Sequence, residues 1–344
     1  MNTRRRTEWG VALGVLAAWI YTRRACSYAS LHPELRHPLL RVRHPAFTRG
    51  LVSLTRRLSR SVPDPSDVKF ERRLVPGPTG APDVPVLLYS PLAGPRDAAA
   101  LLYIHGGGFV SGSAQDYHLQ CGRFANRLGL LVVNVEYRLA PETPFPGPLE
   151  DCYAALKWLR NQAAELGVDP TRIAVAGDSA GAGLAAALAQ LAHDRGEVRP
   201  AFQLLLYPML DDRTVLRKDH GGRGEFVWTP GSNGLGWASY LGRPPVWEDA
   251  PAYAVPARRD DLQGLAPAWI GVGTLDLFYP EDREYAHRLN EAGVPCEFFE
   301  VEGAYHASEH FRPHASVSQE FLDRSLKALR RGLGMSEVGD ASSL

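Results

Sequence analysis

The sequence predicts an α/β protein with a mostly parallel central sheet, flanking helices and an inserted lid. Three observations carry this. Short apolar runs alternate with longer stretches at helical spacing, a rhythm that needs crossover connections between parallel strands. The chain has 344 residues, 45% hydrophobic and 22% charged, enough for a large core without disulfide or metal staples. One long interruption, residues 211–259, is rich in Gly, Pro and Trp. An insertion of that size between strands usually covers a functional site.

In chain order, the first sixty residues hold twelve Arg, no Lys and only two acids, Glu8 and Glu34. Basic and acidic residues balance over the whole chain at 38 each, which argues against a whole-protein nucleic-acid binder. Within the basic stretch, residues 9–21 are uncharged and lie between Arg4-Arg5-Arg6 and Arg23-Arg24. Three readings stay open for residues 1–60: a helix docked on the domain as part of a cap, a membrane-associated segment, or a cleaved signal. Thirteen residues fall short of the ~20 a spanning helix needs, and Arg23-Arg24 interrupts the approach to a cleavage site.

Residues 61–82, rich in Pro and Gly, read as a linker. Strands are expected at 84–89, 99–104, 130–135, 173–176, 202–206, 268–272 and 296–301. Helices are expected at 117–128, 149–166, 180–193 and 281–292. In the helix from 149, Tyr153, Leu156, Leu159 and Ala163 fall on one face. A catalytic domain thus spans 83–210 and 260–332, with a tail at 333–344. Cys26, Cys121, Cys152 and Cys296 are far apart, without the clustering of a zinc site, and read as small buried hydrophobes.

The strongest chemical signal is Gly177-Asp178-Ser179-Ala180-Gly181 between an expected strand and an expected helix. Small residues flank the serine because the turn is tight. The helix N-terminus then offers N–H groups to a developing oxyanion. The second signal is His105-Gly106-Gly107-Gly108, just past the strand at 99–104. Three glycines let backbone approach a substrate unobstructed, and no Gly-Lys-Ser/Thr follows, which disfavours a phosphate loop. His105 reads as an organiser of this loop. Residues 134–142 follow the next strand and carry Tyr137, Arg138 and Glu142 in what reads as a structural polar turn.

Taken in order, His105-Gly-Gly-Gly-Phe109, Tyr137-Arg-Leu-Ala-Pro-Glu142 and Gly177-Asp-Ser-Ala-Gly181 resemble the hormone-sensitive-lipase family of α/β-hydrolases, over roughly residues 80–330. The resemblance implies the α/β-hydrolase fold, a Ser-Asp-His triad, carboxylic-ester substrates and no cofactor or metal. It also implies a helical cap built from an N-terminal segment and an insertion after the sixth strand, where residues 1–60 and 211–259 fall. It places the oxyanion donors on Gly107, Gly108 and Ala180, with His105, Gly106 and Asp178 supporting the motifs.

The acid and base are sought downstream of Ser179. Asp276 lies just past the strand at 268–272, where ligand-facing residues collect. Glu281 and Asp282 are rivals that read better as the start of the next helix. His306 sits in the loop after the last strand and can reach back to the elbow; His310 and His314 are its rivals. Phe109, Trp228, Trp237 and Tyr240 are candidates for the pocket lining. The expected activity is that of a serine carboxylesterase or lipase on short to medium acyl chains. The other readings are a non-catalytic binder on the same fold and an amidase or peptidase with the same triad. The intact Ser179, Asp276 and His306 favour catalysis. The expected partner is a small-molecule ester and not nucleic acid. Cytoplasmic residence is expected, with residues 1–24 a candidate for contact with a membrane surface, and self-association is left open.

Overall fold

A computed structural model describes residues 26–42, 46–58, 62–95 and 98–336. The uncharged run at 9–21 and its flanking arginines lie outside the described residues.

The sheet has eight strands: β1 (Val68–Val75), β2 (Val84–Pro91), β3 (Ala100–Ile104), β4 (Leu131–Val135), β5 (Ile173–Asp178), β6 (Phe202–Leu206), β7 (Ala268–Gly273) and β8 (Cys296–Val301). Their spatial order is β1-β2-β4-β3-β5-β6-β7-β8. The pairs β1–β2 and β2–β4 are antiparallel, and the other five are parallel. In β3, β4, β5, β6 and β7 every residue is buried, as expected of strands covered on both faces.

Helices α2 (His118–Leu128) and α8 (Ser316–Gly332) cover one face with Phe124, Phe321 and Leu329. Helices α3 (Gly147–Asn161), α4 (Ala180–Arg195) and α6 (Tyr279–Glu291) cover the other with Leu156, Leu188 and Tyr285. Helix α4 is buried without a break from Ala180 to Ala192, the mark of a central helix rather than a surface one. Its alanines and glycines allow close approach: a side chain at Gly183 would meet the Met209 carbonyl oxygen at 2.2 Å.

Strand β3 lies between β4 and β5, so the connections leaving β3 and β5 part at this point. Ligands bind at such a switch point, beyond the carboxyl ends of the strands. The triple-glycine loop leaves β3 there and the serine turn leaves β5. Asp276 and His306 follow β7 and β8.

Four expectations are corrected. The linker at 61–82 contains β1, an edge strand whose Lys69, Glu71, Arg72 and Arg73 hid it from a hydrophobicity reading; charge on an edge strand discourages pairing with other chains. The tail at 333–344 begins inside the core: Leu333 and Met335 are buried, and the Arg172 guanidinium donates to the carbonyls of Leu333 and Gly334. The helix expected to reach 166 ends at Asn161, where the chain turns toward left-handed Gly167. Of the cysteines, Cys121 and Cys152 are buried, but Cys26 is exposed and Cys296 half-buried.

Two elements outside the sheet layers pack on each other. The insertion contributes helix α5 (Pro230–Leu241), and the N-terminal side contributes α1 (Arg49–Leu58). They meet where the Phe47 N–H donates to Ser232 Oγ at 3.0 Å and the Phe47 ring packs 5.9 Å from Trp228. Further upstream, Leu31, Leu35 and Leu40 pack with Phe226, Ala304 and Tyr305, against the loop that carries His306.

Candidate active site

Ser179 sits between β5 and α4 with φ 54° and ψ −119°. A non-glycine residue there is strained by roughly 1–3 kcal/mol, a cost found where the surroundings over-determine the conformation. The flanking glycines show how. A Cβ at Gly177 would meet the Gly181 carbonyl carbon and the Ile104 carbonyl oxygen at 2.5 Å. One at Gly181 would meet the Ile104 oxygen at 2.1 Å and the His105 oxygen at 2.4 Å. The turn is wedged against the end of β3, and only glycine fits on either side of it.

The side chains converge on Ser179. Its Oγ lies 2.9 Å from His306 Nε2, and His306 Nδ1 lies 2.7 Å from Asp276 Oδ2. The other Asp276 oxygen accepts the Phe278 N–H at 3.0 Å. Asp276 is buried, and Ser179 and His306 are nearly so. Three aromatic rings surround the imidazole: Tyr207 and Phe278 edge-on at 4.9 and 5.3 Å, and Trp228 at 6.1 Å. A Ser-His-carboxylate chain in this order can transfer a proton from the hydroxyl as it attacks a carbonyl.

The loop after β3 lies beside the serine. Gly107 has φ 124°, and a Cβ there would meet the Ser111 carbonyl oxygen at 1.9 Å. Gly108 has φ 63°, and a Cβ there would meet Trp228 Cη2 at 2.2 Å. The Gly107 carbonyl is turned away, taken by the N–H groups of Val110 and Ser111 and by the Ser111 hydroxyl. Among the described residues, the N–H groups of Gly107, Gly108 and Ala180 donate to no protein acceptor. His105 is fully buried. Its Nδ1 bonds the Gly106 carbonyl at 2.8 Å and its ring stacks on Tyr137 at 4.2 Å. Burial pushes its pKa down to about 4, against the pull of the Gly106 carbonyl, so it is neutral.

The polar run at 134–142 braces this loop. Tyr137 donates its hydroxyl to the His105 carbonyl at 3.0 Å, the Ala140 N–H donates to the Phe109 carbonyl at 2.9 Å, and Arg138 pairs with buried Asp151. Arg56 of α1 adds a clamp, donating to the carbonyls of Val110 and Ala140 and pairing with Glu142. Sequence reading missed Arg56, because nothing local distinguishes it from the other N-terminal arginines.

Residues 101–310 match the family described as alpha/beta hydrolase fold. The carboxylesterase NlhH of Mycobacterium tuberculosis is 36% identical over 279 residues, 78% of this chain and 84% of that protein. The chain is a member of the hormone-sensitive-lipase family of α/β-hydrolases. Ethyl acetate hydrolase of Pseudomonas putida is 36% identical to this α/β-hydrolase over 73% of the chain and 79% of that protein. A solved structure titled bacterial heroin esterase superposes with a TM-score of 0.80 at 37% identity, covering 89% of this chain and 99% of that one.

Of the residues singled out in the sequence, the structure brings Ser179, Asp276, His306, Gly107, Gly108 and Ala180 to one point in this hydrolase. His310 goes elsewhere, to Asp178. Glu281 is buried and accepts the N–H groups of Leu210 and Asp211, and Asp282 is buried beside it. Among the four candidate lining aromatics, Trp228 reaches His306. Phe109, Trp237 and Tyr240 pack on one another, with Phe109 stacked on Tyr240 at 4.1 Å.

Proposed function

We propose that this serine hydrolase cleaves carboxylic esters with Ser179 as nucleophile, and that its preferred acyl groups are short to medium. The observation that carries this is the hydrogen-bonded run Ser179–His306–Asp276 on a strained turn. In the proposed cycle, Ser179 Oγ attacks the ester carbonyl while His306 Nε2 takes its proton. Asp276 holds the imidazole by its Nδ1 and stabilises its charged form. The N–H groups of Gly107, Gly108 and Ala180 receive the oxyanion, an effect worth roughly 2.7–4 kcal/mol per donor. His306 then gives the proton to the departing alcohol, and water attacks the acyl-enzyme by the same route in reverse.

The chain-length preference is supported by Trp228, whose indole packs on Gly108, where a Cβ would meet its Cη2 at 2.2 Å, and stands 6.1 Å from the His306 ring. A series of 4-nitrophenyl esters from acetate to palmitate tests it. kcat/KM should peak among the short to medium members, and a peak at palmitate would sink the preference. Labelling of Ser179 by a fluorophosphonate tests the chemistry itself. Parallel assays on the matching anilides test the amidase alternative, which they would support if turnover matched that of the esters.

Residues 1–24 are proposed to belong to the cover over the site. Deleting them should lower stability or alter acyl preference. Salt-sensitive binding of the full chain to anionic vesicles would instead assign them to a membrane surface. Among the described residues, no helix is long and apolar enough to cross a membrane.

A further inference from the structure

We infer that His310 is a positioning residue for this hydrolysis: paired with Asp178, it pins the loop carrying His306 to the turn carrying Ser179. Asp178 and Ser179 are neighbours in the chain, and each faces a histidine. His306 and His310 lie about one helical turn apart, on the loop and short helix α7 (Ser308–Phe311) that follow β8. His306 Nε2 meets Ser179 Oγ at 2.9 Å, and His310 Nε2 meets Asp178 Oδ2 at 2.8 Å. Two parallel contacts therefore join one short segment to one dipeptide, but only the first takes part in the chemistry.

The second contact joins His310, whose side chain is 36% exposed, to a buried polar cluster. Asp178 also accepts the hydroxyls of Tyr103 and Tyr207. Tyr207 in turn shares its hydroxyl with buried Glu309, and His310 Nε2 lies 3.5 Å from Glu309 Oε1. Gln120 caps Tyr103, and the Tyr117 ring stands edge-on to His310 at 5.8 Å. Tyr207 links both contacts, since its ring packs edge-on against His306 while its hydroxyl serves the cluster. The loop needs such a hold. Ala307, between the two histidines, adopts a left-handed φ of 56° that its own side chain disfavours.

Charge sets how firmly the segment is held. The groups facing His310 are Asp178 at the end of β5, Glu309 on its own turn, Tyr207 after β6, Tyr117 before α2 and, more distantly, Arg123 on α2. Burial lowers the pKa of His310 and Arg123 opposes its charge, but the hydrogen bond to Asp178 and the negative charges of Glu309 and Asp178 prevail and push it up to about 9. The imidazolium thus offsets part of the negative charge of two acids that would otherwise repel across Tyr207. Above that range His310 loses its positive charge, only a hydrogen bond from the neutral imidazole to Asp178 remains, and the hold on the His306 loop weakens.

The experiment compares wild type, His310→Ala and His310→Gln for kcat and KM on 4-nitrophenyl acetate, for the rate of fluorophosphonate labelling, and for unfolding midpoint, from pH 6 to 10. This inference rests on the ester-hydrolase reading. Failure of the wild type to turn over esters or to label at Ser179 would remove that reading; a working wild type isolates the role of His310. In His310→Ala, kcat and labelling should fall together by roughly tenfold or more, the scale on which small misplacements act, with KM within about twofold. His310→Gln keeps a donor without the charge, so it should behave at every pH as the wild type does above pH 9. The wild type should show an alkaline step in kcat that the Gln variant lacks. Wild-type kcat in His310→Ala, or the same alkaline step in His310→Gln, would overturn the assignment. So would a loss confined to the unfolding midpoint, which would leave a structural role only.

Discussion

The floor of the site and its roof are held in different ways. On the floor, the serine turn and the triple-glycine loop are fixed by backbone meeting backbone. Side chains at Gly177, Gly181 and Gly107 would run into carbonyl groups at 2.5, 2.1 and 1.9 Å. In the roof, side chains make most of the joins, such as Arg56 of α1 on the Val110 carbonyl and Trp228, just before α5, over Gly108; α5 itself comes close to the floor backbone at Gly236, where a Cβ would lie 2.8 Å from the Gly108 carbonyl oxygen. The comparison teaches that a position fixed by backbone contact tolerates almost no substitution. A position fixed by a side chain can be met by several residue types and should tune rather than enable the reaction.

The sharpest way to break this contrast is on the floor. Ser179→Ala and His306→Ala should each lower kcat by at least about 10⁴-fold while leaving the circular dichroism spectrum unchanged, and the double variant should be little worse than either. Additive losses in a double-mutant cycle would mean that the two do not act as one unit.

The same contrast explains what the sequence disclosed. Ser179 and the glycine loop were legible because a close backbone approach admits only glycine, and that requirement leaves a local pattern. His306 and Asp276 were found by their order after Ser179 and their place past strand ends, helped by the family resemblance. The roof left no such trace. Arg56 works from 54 to 86 residues away in sequence, and beside Glu142 its partners are carbonyl oxygens that any residue supplies. Helix α5 was hidden because Gly231, Gly234 and Gly236 lower its helix propensity. Its Pro230 start and the Thr229 side chain accepting the Ser232 N–H are nevertheless ordinary helix-opening signals. Strand β1 escaped for the reason that suits an edge, since charged side chains break the apolar pattern. The pairing of His310 with Asp178 depends on the turn of α7, which four residues of sequence do not specify.

A second floor variant, Gly107→Ala, tests the backbone argument directly. The added methyl must displace the Ser111 carbonyl and opposes a φ of 124°. kcat should fall roughly 10²–10³-fold, as for loss of an oxyanion donor, with a much smaller change in KM. An effect on KM alone would make the loop a substrate-shaping element and not a source of oxyanion donors.

In the roof the expected change is smaller and of another kind. Trp228→Phe keeps an aromatic ring near His306 but opens space over Gly108. It should shift the preferred 4-nitrophenyl ester toward longer acyl chains, with kcat/KM ratios changing roughly tenfold, the scale for a reshaped apolar pocket. kcat on the acetate should stay within a few-fold. A collapse of kcat on every ester, comparable to that of Gly107→Ala, would place Trp228 with the floor and erase the distinction.

The last effect concerns stability, not rate, and again separates floor from roof. His105 is neutral in the folded protein, because burial holds its pKa at about 4 against an ordinary value of 6.5. The unfolded chain binds a proton there as pH falls below 6.5, and the folded chain does not until near pH 4. The stabilisation from His105 is therefore complete above pH 6.5 and drains away between pH 6.5 and 4. Over that window the loss is at most about 3.5 kcal/mol, at ~1.4 kcal/mol per pH unit. In His105→Gln the side chain cannot take up a proton in either state. This variant should start less stable at pH 7, having lost the stack on Tyr137, yet its urea midpoint should fall less steeply between pH 6.5 and 4 than that of the wild type. Parallel curves for the two proteins would show that the floor is not held by a neutral buried imidazole. A roof substitution such as Trp228→Phe removes no titrating group and should leave the wild-type slope intact.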